Sequence, residues 1–116
     1  MELIITDCVQ YALIKIIGRV DSYSAPELNQ AFESLFTEKQ FNIIVDMQDV
    51  SFISSSGILV FVNHQKYLRQ QKQGEIAFIH ISSNLCISFE LVGFHTLFEF
   101  YDDLPTAAEK FKIINQ

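Results

Sequence analysis

The chain has no tryptophan, two cysteines, two prolines and four glycines in 116 residues. Two isolated thiols, Cys8 and Cys86, are too few for a disulfide framework. They are read as buried free thiols in a reducing compartment. So few glycines act as punctuation, and they leave no room for linkers or low-complexity segments. Basic charge is scarce as well: eight Lys and Arg stand against fourteen Asp and Glu, a formal charge of −6. Phosphate backbones and anionic lipid surfaces need clustered Lys and Arg. That argues against nucleic acid and electrostatic membrane attachment. The longest apolar run is Ile58 to Val62, far from the ~20 residues that span a bilayer. No direct membrane insertion is expected. The opening Met-Glu-Leu-Ile-Ile lacks the basic start and cleavage site of a signal peptide, so the expected location is cytoplasmic.

Catalytic signatures are missing too. His64, His80 and His95 are scattered, without HExxH or Cys-x-x-Cys company, so no metal is expected. His80 reads as a hydrogen-bonded histidine on a strand. No GxGxxG or GxxxxGK[ST] appears, so no cofactor is expected. Ser54-Ser55-Ser56-Gly57 resembles half of a nucleophile elbow. Its leading glycine is absent and no Asp-then-His order follows. Asp21, Asp46 and Asp49 lie near predicted strand ends and could converge, but turn and capping roles explain them better. The protein reads as a non-enzyme.

What is present is a core. Hydrophobic residues make up 49% and charged residues 19%, which excludes disorder. A chain of this length forms one domain over residues 1–116 and buries enough surface to need no staple. Residues 2–6 and 9–17 read as strands joined by a hairpin turn at Asp7-Cys8. Gly18-Arg19-Val20-Asp21 then leads out. Ser24 and Glu27 have capping-box spacing, with Tyr23 and Leu28 at the staple positions. Leu28, Ala31, Phe32, Leu35 and Phe36 follow at helical intervals. Phe41 to Met47 reads as a strand buried on both faces. Asp49 to Ser56 reads as a loop, and Ser56 to Gln73 as a helix closed by Gly74. Glu75 to Ile81 is a strand, Ser83 to Leu91 a helix, Leu97 to Tyr101 a strand and Leu104 to Ile114 a helix. The order β-β-α-β-α-β-α-β-α implies an α/β fold with a mixed, mostly parallel β-sheet and helices packed against it.

One segment carries functional information. Asp46 to Gly57 leaves the carboxyl end of a central strand and enters a helix, where open α/β sheets collect their sites. One serine there is explained as an N-cap. Three in succession are not. Hydroxyls at such a junction suit phosphorylation, which would add about −1.5 to −2 charges. In the following helix Ile58, Phe61, Val62 and Leu68 form a core stripe. Leu59, Val60 and Tyr67 widen it. That width fits either deep packing under the terminal helix or an apolar patch for a partner.

Asp49-Val50-Ser51-Phe52-Ile53-Ser54-Ser55-Ser56-Gly57 resembles the D-[LV]-S-[FY]-[MI]-D-S-[ST]-G motif of STAS domains, whose best-known branch is the bacterial anti-sigma factor antagonists. Gly18-Arg19-Val20-Asp21 is similar to the family's G-x-[LV]-D, and Ile43-Ile44-Val45-Asp46 to its central strand. Leu91-Val92-Gly93-Phe94 is similar to its late glycine turn, and Thr106-Ala107-Ala108 to the start of its last helix. The resemblance implies that Ser55 is the phosphoacceptor, with Ser54 and Ser56 as alternatives. It implies a partner that is both anti-sigma factor and serine kinase, bound by the unphosphorylated form, and a serine phosphatase that resets the switch. Asp21, Asp46, Ser54, Ser56, Gly57, Leu59 and Val60 are the expected motif and partner-contact positions. Ser54 departs from the family's Asp. A STAS scaffold subunit that is not phosphorylated, or a small-molecule or nucleotide binder, are the competing readings.

Overall fold

The computed structural model describes residues 1–112. Strands β1 (Glu2–Asp7), β2 (Ala12–Val20), β3 (Asn42–Ile53), β4 (Glu75–Ile79) and β5 (Glu99–Tyr101) form one sheet in the order β1-β2-β3-β4-β5. Only β1 runs antiparallel to its neighbour; the other pairings are parallel. Helices α1 (Ala25–Thr37), α2 (Ser55–Gln71), α3 (Ser83–Leu91) and α4 (Leu104–Lys110) fill the connections in the expected order.

The helices divide unevenly between the faces. Leu28 and Phe32 of α1, Phe61 and Leu68 of α2, and Leu85 and Phe89 of α3 share one core with Ile14, Val45 and Phe78 of the sheet. Ala107 and Phe111, in and just after α4, form a second cluster with Ile44, Ala77 and Ile79. Side chains alternate across a strand, so Val45 and Ile44 serve opposite faces. That is why residues 43–47 of β3 are all buried. The terminal helix therefore does not cover α2, and deep packing of α2 under it is ruled out. Residues 113–114, the expected end of that helix, lie outside the described residues.

Several boundaries differ from the sequence reading, each for a local reason. The hairpin turn occupies residues 8–11, closed by the Cys8 amide on the Tyr11 carbonyl at 2.9 Å, so β2 begins at Ala12. It continues past Ile17 to Val20, because Gly18 takes φ +102° where the β2–β3 register shifts. The segment read as a loop after Met47 is the second half of β3. Lys72, not Gly74, is the left-handed residue that ends α2, at φ 55°. Gly74 answers a different need: a Cβ there would overlap the carbonyl oxygen of Phe41. Strand β4 stops at Ile79 because His80 turns left-handed, at φ 57°. His80 is hydrogen-bonded, but just beyond the strand. Strand β5 is short because His95–Leu97 forms a single 3-10 turn.

Gln65 has no signature in the sequence, yet it is fully buried in α2. Its Oε1 accepts from the Ile76 amide at 2.7 Å, and its Nε2 donates to the Leu97 carbonyl at 3.1 Å. It supplies a partner for β4 and ties α2 to the turn before β5.

Two predictions concern this framework. Gly74→Ala should cost about 3 kcal/mol, since backbone rather than a flexible side chain must move. Urea unfolding checks it, and an unchanged midpoint would contradict the close approach. His64 joins α2 to α1, with Nε2 2.6 Å from Asn29 Oδ1 and its ring stacked on Phe32 at 4.9 Å. Burial pushes its pKa below the ordinary 6.5, against a smaller opposing pull from Glu33. Below pH 6.5 the unfolded chain takes up this proton before the folded one does. Stability should therefore fall as pH drops from 6.5 toward the folded-state pKa. Melting temperatures from pH 7.5 to 5.5 should show a slope that flattens in His64→Gln; equal slopes would contradict it.

Candidate functional site

The site is the junction of β3 and α2 at the carboxyl edge of the parallel strands. Val20 and Ile53 pair at the ends of β2 and β3. One residue on, the Ser54 amide donates to the Val20 carbonyl at 2.8 Å. Ser54 is extended, at φ −89° and ψ 169°, and its side chain accepts from the Gly57 amide at 3.2 Å. It is the N-cap, which satisfies one of the otherwise unpaired amides of the first turn. With Ser54 occupied in this way, Ser55 and Ser56 project as exposed residues on the first turn.

Gly57 has a packing role. A Cβ there would lie 2.7 Å from Val20 Cγ1, 3.0 Å from the Val20 carbonyl oxygen and 3.1 Å from Ile53 Cγ1. Only glycine lets α2 sit this close to the strand ends. Gly57 and Val60 are both buried, so neither offers side-chain surface to a partner. Leu59 is the patch residue next to the serines, 45% exposed. Tyr67 is also exposed, two turns along α2.

A groove runs from Ser55 toward α3. Phe52, Ile58, Ser88, Leu91 and Val92 line it. Phe52 is 40% exposed and Leu91 is 81% exposed. The sequence reading missed Phe52, Ser88 and Leu91 as one surface. Phe52 carried the only local signal, an aromatic in a segment read as loop. Ser88 and Leu91 are brought in by α3, more than thirty positions away, with no local signal at all.

The three carboxylates do not gather in one place: Asp21 stands apart, while Asp46 and Asp49 meet at Lys15. Asp21 organises the turn before α1: its Oδ1 accepts from the amides of Tyr23 at 3.0 Å and Ser24 at 3.1 Å. The Ser24 amide foremost, with Tyr23, the Ser24 hydroxyl and the Arg19 charge, holds its carboxyl below the ordinary range. The expected capping box is absent, because Ser24 accepts from the Asp21 amide at 2.9 Å instead of capping the helix. The staple is absent as well, since Tyr23 is almost fully exposed. Asp46 is buried on the α4 side of the sheet. It accepts from the Gln48 amide at 3.0 Å and lies 3.0 Å from His80 Nδ1. Lys15 Nζ bridges it, at 3.7 Å, to Asp49 at 3.1 Å. Among the described residues no group of three His, Cys, Asp or Glu is placed to hold a metal ion.

An exposed hydroxyl thus stands on a fixed first turn beside the groove. The family model for the STAS domain matches residues 3–107. The chain belongs to the STAS domain family. A relative named anti-sigma-B factor antagonist, from Listeria monocytogenes, is 33% identical over 86 residues, covering 74% of this chain and 75% of its own. An anti-sigma factor antagonist structure from Mycobacterium paratuberculosis superposes with a TM-score of 0.81 at 19% identity, covering 95% of this chain and 92% of that one. The Bacillus cell fate determinant SpoIIAA, in its phosphorylated form, superposes with a TM-score of 0.73 at 14% identity. That match covers 96% of this chain and 100% of the other. The STAS fold is thus established over nearly the whole chain. No helix among the described residues is long and apolar enough to cross a membrane.

The cap predicts a specific energetic pattern. Ser54→Ala should destabilise the domain by about 1 kcal/mol, whereas Ser55→Ala and Ser56→Ala should each stay within about 0.5 kcal/mol. Chemical denaturation of the three variants measures this. An equal loss in all three would contradict the assignment of Ser54 as the sole cap.

Proposed function

We propose that this STAS domain is an anti-sigma factor antagonist switched by phosphorylation of Ser55. The observation that carries the reading is the exposure of Ser55 on the first turn of α2, with Ser54 engaged as the cap beside it. In its unphosphorylated form the domain binds an anti-sigma factor that is also a serine kinase, through Leu59 and the groove of Phe52 and Leu91. Phosphorylation brings about −1.5 to −2 charges to the rim of that groove. Burying a group of that charge in a desolvated interface costs more than the contact returns, so the complex dissociates. A serine phosphatase restores the binding form. The domain performs no catalysis and works in the cytoplasm.

The names of the curated relatives support the role, and the phosphorylated SpoIIAA structure supports a modified state on this fold. Ser54 takes the position of the family motif's Asp and caps α2 through its side chain. It lacks the fixed negative charge, so the cognate kinase must read this loop without a carboxylate there.

The test is incubation of the purified protein with Mg-ATP and lysate of its source organism, followed by peptide mass spectrometry. Phosphate on Ser55, lost in Ser55→Ala, is the expected result. Phosphate on Ser54 or Ser56 alone would move the acceptor. No phosphate on any of the three, where a typical antagonist in the same lysate is modified, would favour the unphosphorylated scaffold.

A further inference from the structure

The fold sends most of its basic side chains away from Ser55. Lys39, Arg69, Lys72, Lys110 and Lys112 stand at or just past the carboxyl ends of α1, α2 and α4. Those ends lie at the amino edge of the parallel strands, opposite the serines. Lys66 sits over the Phe94 ring at 5.1 Å, and Lys15 is held between Asp46 and Asp49. Arg19 is the exception. It pairs in register with Phe52, and its guanidinium carbon lies 4.3 Å from the centre of the Phe52 ring. Phe52 in turn lines the groove that Ser55 lines. The residue after Arg19, Val20, accepts the Ser54 amide.

The guanidinium is also weakly committed. Among the described residues its one carboxylate contact is Nε to Asp21 Oδ2 at 3.8 Å, too long for a hydrogen bond, and its side chain is 62% exposed. Asp21 loses little if Arg19 moves, because the amides of Tyr23 and Ser24 already satisfy its other oxygen. The Phe52 face holds the planar group as a platform without using its donors.

We propose that Arg19 is the intramolecular counter-ion of a phosphoryl group on Ser55, exchanging its long contact with Asp21 for a forked pairing with the phosphate oxygens. This rests on the reading of Ser55 as the phosphoacceptor. Guanidinium and phosphate match in geometry, and their charge-assisted bonds are much stronger than the 3.8 Å contact they replace. The exchange frees one face of the Asp21 carboxylate and pins the phosphate over Phe52. Modification thus changes two places on the surface at once: the serine gains charge, and Asp21 loses its cation.

Phosphoserine is installed at position 55 of the full chain by genetic code expansion, so no kinase is needed. The phosphate's second pKa is then followed by phosphorus NMR in the parent, Arg19→Lys and Arg19→Gln. It should lie about 0.5–1 unit lower in the parent than in Arg19→Gln, a threefold to tenfold shift in proton affinity. Arg19→Lys should fall between, because a point charge keeps the field but not the fork. The Arg19 Nε–H resonance should shift on phosphorylation. Equal pKa values in all three proteins, or an Arg19 resonance unmoved by the phosphate, would overturn the proposal. A failed pairing here leaves the kinase assay of the unmodified protein unaffected, so the two readings fail separately.

Discussion

The hydrogen bond from the Ser54 amide to the Val20 carbonyl is the contact on which the site depends. It comes one residue after β3 ends, and it fixes the chain where strand becomes helix. Gly57 then rests against Val20 and Ile53 at distances that exclude any side chain. Strand end, cap and first helical turn form one rigid unit. Ser55 is presented on that unit rather than on a mobile loop. A charge added there meets the positive end of the α2 dipole, which tolerates it without unfolding.

The two faces of the sheet do different work. The face under α1, α2 and α3 is packed with aromatic and aliphatic side chains, and Phe78 touches Phe61, Phe89, Phe98 and Phe100. Gln65 is the buried polar tie within it. The other face carries α4 and, beside it, the Lys15–Asp46–Asp49–His80 network. That network pairs the half-buried charges a strand otherwise exposes, and it keeps Asp46 in the sheet instead of the site. The motif carboxylates thus separate by role: Asp21 shapes the turn beside the serines, while Asp46 anchors the opposite face.

Most of the fold was legible because its signals are local. Helical spacing from Leu28 to Phe36, the continuous apolar run of β3 and a serine cap at the start of α2 each speak for their own element. The second half of β3 was not legible. The register shifts between β2 and β3 break the alternation that would mark Val50 and Ile53 as strand. The capping-box spacing at Ser24 is overridden because Asp21, three residues earlier, competes for the same hydroxyl and amides. At the site, Ser54 to Gly57 stand out as three serines in succession before a glycine at a strand-to-helix junction. The groove wall from α3 and the Arg19–Phe52 stack did not, since tertiary structure alone brings those residues together.

Phosphorylation of Ser55, as proposed, changes the surface and leaves the framework intact. Amide hydrogen exchange on the unmodified and Ser55-phosphorylated domains tests it most directly. Changes are expected only at residues 19–21 and 52–59, with protection in the remaining strands unchanged and the slowest-exchanging amides within about 0.5 kcal/mol of each other. Loss of protection across β2, β3 or α1 would contradict it, because phosphorylation would then act by loosening the fold.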